Sequence, residues 1–395
     1  MTNEEGKQIK RTKGKKQSSV PKKQNKGRKI IMQKQLPIPS FFNGANAASW
    51  AYSPNQSQLF KAAAEWRKEH GIKPVGVDKR TIHLLLIDVQ KDFCFPQGSL
   101  YVAGRSGTGA IDDSRRTAEF IYRNLHLITD ITTTLDTHFA HQIFYPSFWI
   151  NEKGEPLSEH TMIQLDKTGR FLENIDPIGN VLNGNVRPNP AVTSWVCGGD
   201  YPWLQQYGVH YASSLKQAGK YVLYLWPPHC ILGSDGHPLV GIIHEARMFH
   251  DFARSNQSWV EVKGGHTLFE NYSVYRGEVL KAHDGRALGE KNTRFINKTI
   301  NADITIMGGQ AASHCFKSSA LDLKNEIADQ DPKLADKVYI MTDCMSSVTV
   351  PDGKGGIAVD FTPQAEEAFH ILEEAGMHLV KSTDPIESWP GINLN

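Results

Sequence analysis

One cysteine in this chain stands where a nucleophile would. The apolar, β-type run Ile304-Thr305-Ile306-Met307 ends in Gly308-Gly309, and Gln310-Ala311-Ala312-Ser313-His314 makes a short turn of mostly small residues. Cys315 then opens a helical stretch with apolar residues at Phe316, Ala320 and Leu323. Backbone N–H groups and the positive end of a helix dipole at that position favour a thiolate, and could hold the oxyanion formed when it attacks a carbonyl. The plainer alternative is a buried structural cysteine.

Other polar residues sit at the ends of apolar runs. Asp88 closes Thr81-Ile82-His83-Leu84-Leu85-Leu86-Ile87. A carboxylate there is costly unless paired, and suits a general base for a nearby thiol; a helix N-cap is the competing role. Asp136 and His138 close Thr134-Leu135-Asp136-Thr137-His138. Residues i and i+2 of a strand point the same way, and Asp with His suits zinc, iron or manganese. A third ligand is needed, and Trp226-Pro227-Pro228-His229-Cys230 offers an imidazole on a proline-stiffened turn. Lys263 ends Trp259-Val260-Glu261-Val262. Near a thiol its ammonium would lower the thiol pKa and help hold an oxyanion; alone it would be a surface lysine.

Positioning such residues requires strands that end on one side. The run at 81–88 is apolar throughout, as expected of a parallel strand covered on both faces. Further strands are expected at Ile131–Leu135, Tyr221–Leu225, Trp259–Lys263, Ile304–Gly308, Val338–Thr342 and His378–Val380. Helices are expected at Gln56–His70, Asp113–Leu127, Phe316–Ile327 and Pro363–Ala375. Alternation of this kind predicts an α/β fold with a doubly wound, mainly parallel sheet, whose sites form at the carboxyl ends of the strands. Residues 144–215, rich in Gly, Asn, Pro and aromatics, break the alternation and read as a long irregular insertion. The expected organisation is a Lys-rich tail and linker over 1–40, a helical extension over 41–80, and a catalytic domain over 81–395.

The formal charge of +2 over 395 residues conceals an asymmetry. Residues 1–35 carry twelve Lys/Arg against Glu4 and Glu5, a local +10 that leaves −8 for the rest. So lysine-rich and weakly apolar a head is expected to be disordered, and to attract nucleic acid or another anionic surface if it has a partner. It lacks aromatic residues for stacking on bases. No apolar run is long enough to span a membrane, and no secretory signal opens the chain. Five cysteines without paired spacing argue for a reducing, cytoplasmic setting.

Taken in order, Leu85-Leu86-Ile87-Asp88-Val89-Gln90-Lys91-Asp92-Phe93, Asp136-Thr137-His138, Trp226-Pro227-Pro228-His229-Cys230, Lys263-Gly264 with Tyr272-Ser273, and Gly308-Gly309-Gln310-Ala311-Ala312-Ser313-His314-Cys315 resemble the isochorismatase-like cysteine hydrolases. Within them the pattern is similar to the nicotinamidase (pyrazinamidase) branch, over residues 82 to about 381. The resemblance implies a catalytic Asp88–Lys263–Cys315 triad and a divalent metal, zinc foremost, on Asp136, His138 and His229. It also implies a cis peptide at Ala311–Ala312 whose N–H groups serve the oxyanion, and substrate contacts from Phe93, Trp226 and Tyr272. The implied activity is deamidation of nicotinamide in NAD salvage, by a homo-oligomer. Ala312 and Ser313 stand where the family often has Thr-Asp, and Gln142 lies near the place of a further metal-side histidine. Another small amide or ureido compound is the alternative substrate within the superfamily. Outside it, a binding module tethered by its basic tail is the competing function.

Overall fold

The computed structural model describes residues 35–394 apart from 177, 178 and 220, all within one unit, Gln35–Asn395. The basic head therefore lies outside the described residues. The strands expected from apolar runs form a six-stranded sheet: β1 (Ile82–Ile87), β2 (Asp130–Asp136), β3 (Trp259–Lys263), β4 (Ile304–Gly309), β5 (Val338–Met341) and β6 (His378–Val380). Its order is β6-β5-β4-β1-β2-β3 and every pairing is parallel. All six residues of β1 are buried, which is why the run is apolar without alternation.

Strand order runs one way from β1 to β3 and the other way from β4 to β6. With right-handed crossovers, such a reversal places the connecting helices on opposite faces. One group is α1 (Gln56–Glu69), α2 (Gly109–Asn124) and α4 (Gly241–Arg254), with α4 packed on the other two. The other is α5 (Thr293–Asn301), α6 (Cys315–Gln330) and α7 (Thr362–Glu374), with α6 between its neighbours. The reversal falls between β1 and β4, where a crevice opens at the carboxyl ends.

Several contacts tie the N-terminal extension down, among them Leu36 N–H on the Arg123 carbonyl, Arg254 on Asp78, and one shared carboxylate. Glu245 on α4 accepts from the Tyr52 hydroxyl and, at 2.9 Å, from Tyr122 of α2. Leu59 and Ala63 of α1 are buried, whereas Phe60 is 57% exposed and sets its ring edge-on to Phe252.

Residues 144–215 are more regular than their composition suggested. Trp149–Ile150, Met162–Leu165, Leu172–Ile175 and Val181–Pro188 form an antiparallel sheet, and α3 (Tyr201–Ala218) follows. Strands of two to eight residues, separated by Gly- and Asn-rich turns, are too short to show a period in sequence. The segment at Tyr221–Leu225 is a correction of another kind. Its strand, Leu223–Tyr224, pairs antiparallel with Met162 and Ile163 in this second sheet, outside the parallel one.

Candidate active site

Asp88 is the first residue after β1 and takes φ +45, turning its carboxyl back over the strand ends. Thr134 on neighbouring β2 holds it twice: its hydroxyl oxygen accepts from the Asp88 N–H at 2.9 Å and its O–H donates to Oδ1. Lys263, the last residue of β3, lies in register with Asp136 of β2. Its Nζ stands 2.8 Å from Asp88 Oδ2, 3.0 Å from Asp136 Oδ1, 2.9 Å from the Asn271 carbonyl and 3.6 Å from Cys315 Sγ. One buried ammonium thus joins three of the residues singled out from sequence.

The electrostatics follow from that burial. Desolvation pulls the Lys263 ammonium down, but Asp136 and Asp88 outweigh it and keep the side chain charged. Burial raises the Asp88 carboxyl despite Lys263, making it a stronger base than an exposed aspartate. Burial also raises the Cys315 thiol more than Lys263 lowers it. The sequence pointed to a stored thiolate; with Cys315 only 7% exposed, desolvation wins and the resting form is the thiol. A thiol at this place would have to lose its proton to act as a nucleophile, and Asp88 shares the Lys263 ammonium with the sulfur.

The turn before Cys315 is held closely. Gly309 has φ +111, and a Cβ there would come within 2.1 Å of the Ile87 carbonyl oxygen. The cis peptide lies at Gln310–Ala311, one bond earlier than the resemblance implied. Gln310 fixes the start of the turn: its N–H donates to Ile87 O at 2.7 Å and its amide to Asp113 Oδ2 at 3.0 Å. Ala312 departs from its expected role, because its N–H donates to Ser346 O at 2.8 Å. The N–H groups of Ala311, Ser313 and Cys315 have no acceptor among the described residues, and of these three Ala311 and Cys315 line the cavity over the sulfur.

Beside the triad, Asp136, His138 and His229 bring ligand atoms within 4.8 Å of one another, all buried. His138 Nδ1–H donates to Gly264 O at 3.0 Å and His229 Nδ1–H to Pro227 O at 2.7 Å. Both Nε2 atoms therefore turn to Asp136 Oδ2, at 2.9 and 3.8 Å. Orientation of imidazoles by backbone carbonyls is the arrangement that metal-binding histidines require. Burial lowers His229, favouring the neutral ligand form. Asp136 raises His138 against its burial, and a bound cation would take the place of that proton. Gly264, φ +84, must lack a side chain, since a Cβ would lie 2.4 Å from Asp136 Oδ1. The residues fit a divalent ion. Gln142 instead donates to the carbonyls of Gly264 and His266, so it braces this loop.

A cavity of about 30 Å³, space for roughly one water, lies over Cys315. Phe93, Trp226 and Tyr272 line it, with Trp226 Nε1–H donating to the Tyr272 hydroxyl at 2.7 Å. Glu270 also lines it and was missed; burial pushes its carboxyl up to about 8. An acid within Leu268-Phe269-Glu270-Asn271-Tyr272 was the available signal. Also missed was the ring that fixes the turn: Asp113 Oδ2 accepts from Gln310 and, at 2.7 Å, from the Ser346 hydroxyl, while Ser346 N–H donates to Gln310 Oε1 at 3.2 Å. Its members come from three distant segments, so no local spacing announces it.

No family profile matches the sequence, and no curated protein does. Solved structures do align along most of it. A nicotinamidase/pyrazinamidase of Acinetobacter baumanii is 18% identical over 77% of this chain and 98% of its own, with a TM-score of 0.43. The yeast nicotinamidase bound to the inhibitor nicotinaldehyde is 14% identical over 76% and 100%, also at 0.43. The pyrazinamidase of Pyrococcus horikoshii in complex with zinc is 14% identical over 76% and 98%, at 0.38.

Proposed function

We propose that this protein is a cysteine amidohydrolase that converts nicotinamide to nicotinate and ammonia. The observation that carries the reading is the Lys263 ammonium, within 3.6 Å of Asp88, Asp136 and Cys315 and beside the metal-capable triplet. Phe93, Trp226 and Tyr272 hold the aromatic ring after moving apart, since the cavity between them has space for roughly one water. Asp88 accepts the Cys315 proton as Sγ attacks the carboxamide carbon, and the N–H groups of Ala311 and Cys315 receive the oxyanion. Asp88 returns the proton to the nitrogen, the C–N bond breaks, and ammonia leaves a thioester. Water, deprotonated by Asp88, then attacks the thioester and frees the acid and the thiol. Asp136, His138 and His229 would hold a divalent ion, zinc foremost, which supplies a Lewis-acid anchor for the ring nitrogen.

The test is ammonia release from nicotinamide by the purified, zinc-supplied chain. Release by the wild type and none by Cys315→Ala is expected; equal release by both would remove Cys315 from the mechanism. No release by metal-loaded wild type would exclude nicotinamide as substrate.

A further inference from the structure

The small cavity over Cys315 shares two walls, Leu100 and Val348, with a recess of about 730 Å³. A recess of that size has room for a ligand much larger than a bare pyridine carboxamide. Its sides are the loop around 96–107 and an antiparallel hairpin, Thr349–Pro351 with Ile357–Asp360. The two are fastened together: Arg105 Nε–H donates to Asp360 Oδ2 at 2.7 Å, and the Thr349 hydroxyl to Gly104 O at 3.4 Å.

The lining carries no uncompensated charge. Arg105 is paired with Asp360, and the Tyr101 hydroxyl donates to Gly107 O at 2.9 Å. The His160 ring lies 3.1 Å from the Tyr224 hydroxyl, and burial lowers its pKa, so it is neutral at neutral pH. Ile357, 45% exposed, presents an apolar side chain with Val350 and the prolines at 96, 227 and 351. Such a surface suits a neutral, apolar group and would reject a charged one.

The recess also has a definite position along the site. Val348 N–H donates to the Ser313 hydroxyl oxygen at 3.0 Å, two residues before the nucleophile. Asp136, His229 and Glu270 line the inner cavity but not the recess. With the ring toward the metal triplet and the carboxamide at Cys315, the Val348 wall of the recess stands on the carboxamide side, while Pro227 brings another wall toward His229.

We infer that the recess is an outer subsite for a neutral, apolar substituent on the amide nitrogen, so that secondary aromatic amides are substrates as well as primary ones. The inference rests on the amidohydrolase reading above. The chemistry balances in the same way: Cys315 Sγ bonds to the carbonyl carbon, the C–N bond breaks, the proton held by Asp88 passes to nitrogen, and an amine leaves in place of ammonia. Water completes hydrolysis to the acid.

N-benzylnicotinamide is the probe, compared with nicotinamide. Wild type is expected to hydrolyse it with kcat/KM at least equal to that for nicotinamide. Ser99→Trp, which fills the recess, and Ile357→Asp, which puts a carboxylate in it, should each cut that value about tenfold and leave nicotinamide within about twofold. Both sites are at the surface, so folding should survive. Hydrolysis of nicotinamide but not the benzyl amide, or equal effects of the variants on both, would overturn the inference and leave the amidohydrolase reading standing. Should neither amide be hydrolysed, calorimetry on the Cys315→Ala chain decides the recess alone. Benzyl-amide binding weakened about tenfold by Ser99→Trp supports it, and absent or unaffected binding overturns it.

Discussion

Lys263 is the side chain on which the site turns, since its ammonium lies against two carboxylates and the sulfur at once. Lys263→Met should lower turnover by about a thousandfold, through loss of a preorganised cation beside the developing charge. It should also slow alkylation of Cys315 by iodoacetamide at pH 8, because the ammonium that lowers that thiol against its burial is gone. Two buried carboxylates would then repel, at a stability cost of about 3–5 kcal/mol measurable by denaturant unfolding. His138→Ala should reduce metal content, read by elemental mass spectrometry, by at least the ten- to hundred-fold loss of affinity typical of even an outer-shell change. These residues stood out in the sequence because each is a polar group at or just beyond an apolar run, although an N-cap, a surface lysine and a structural cysteine were the competing readings. Glu270 did not, since it lies in a loop without a period and its neighbour Asn271 reaches Lys263 through a backbone carbonyl.

At the scale of elements, the turn between β4 and α6 depends on helix α2, which supplies Asp113. Gln310→Leu keeps the volume but removes both amide bonds to Asp113 and Ser346. The expected result is a fall in kcat of about ten- to a hundredfold with KM little changed, because the N–H group of Ala311 loses its aim while the ring pocket stands. A raised KM with normal kcat would count against that positioning role. On α4, Glu245→Ala should leave two tyrosine hydroxyls without their acceptor and lower stability by about 2 kcal/mol, loosening the extension that carries Tyr52. Native limited proteolysis would show new cuts near α1. The long elements were readable because fifteen or so residues of helical period, or six of unbroken apolar character, exceed chance. The antiparallel sheet was not, as its strands are short, and Tyr221–Leu225 carried an apolar signal equally suited to either sheet.

Across the whole molecule, pH dependence is set by buried histidines as well as carboxylates. Burial lowers His83 to about 4, so the folded chain keeps it neutral while the unfolded chain protonates it near the ordinary 6.5. Between those values the unfolded state binds the extra proton, and stability must rise with pH. His83→Gln should reduce the slope of unfolding free energy over that window by up to about 1.4 kcal/mol per pH unit. Denaturation curves at pH 5 and pH 6.5 measure it directly; an unchanged slope would mean that His83 is protonated in the fold.

Strand order carries a consequence for synthesis on the ribosome. β1 emerges early, yet its partner on one side, β4, is made only after β2, the second sheet and β3. Until then, the central strand of the finished protein is an edge strand, with the run Ile-His-Leu-Leu-Leu-Ile open to any other extended chain. The segment that leads into Cys315 is also the one that closes this edge. A nascent or truncated chain ending before residue 304 would thus have the metal triplet and Lys263 but no thiol at the turn, and would be the form most dependent on chaperones.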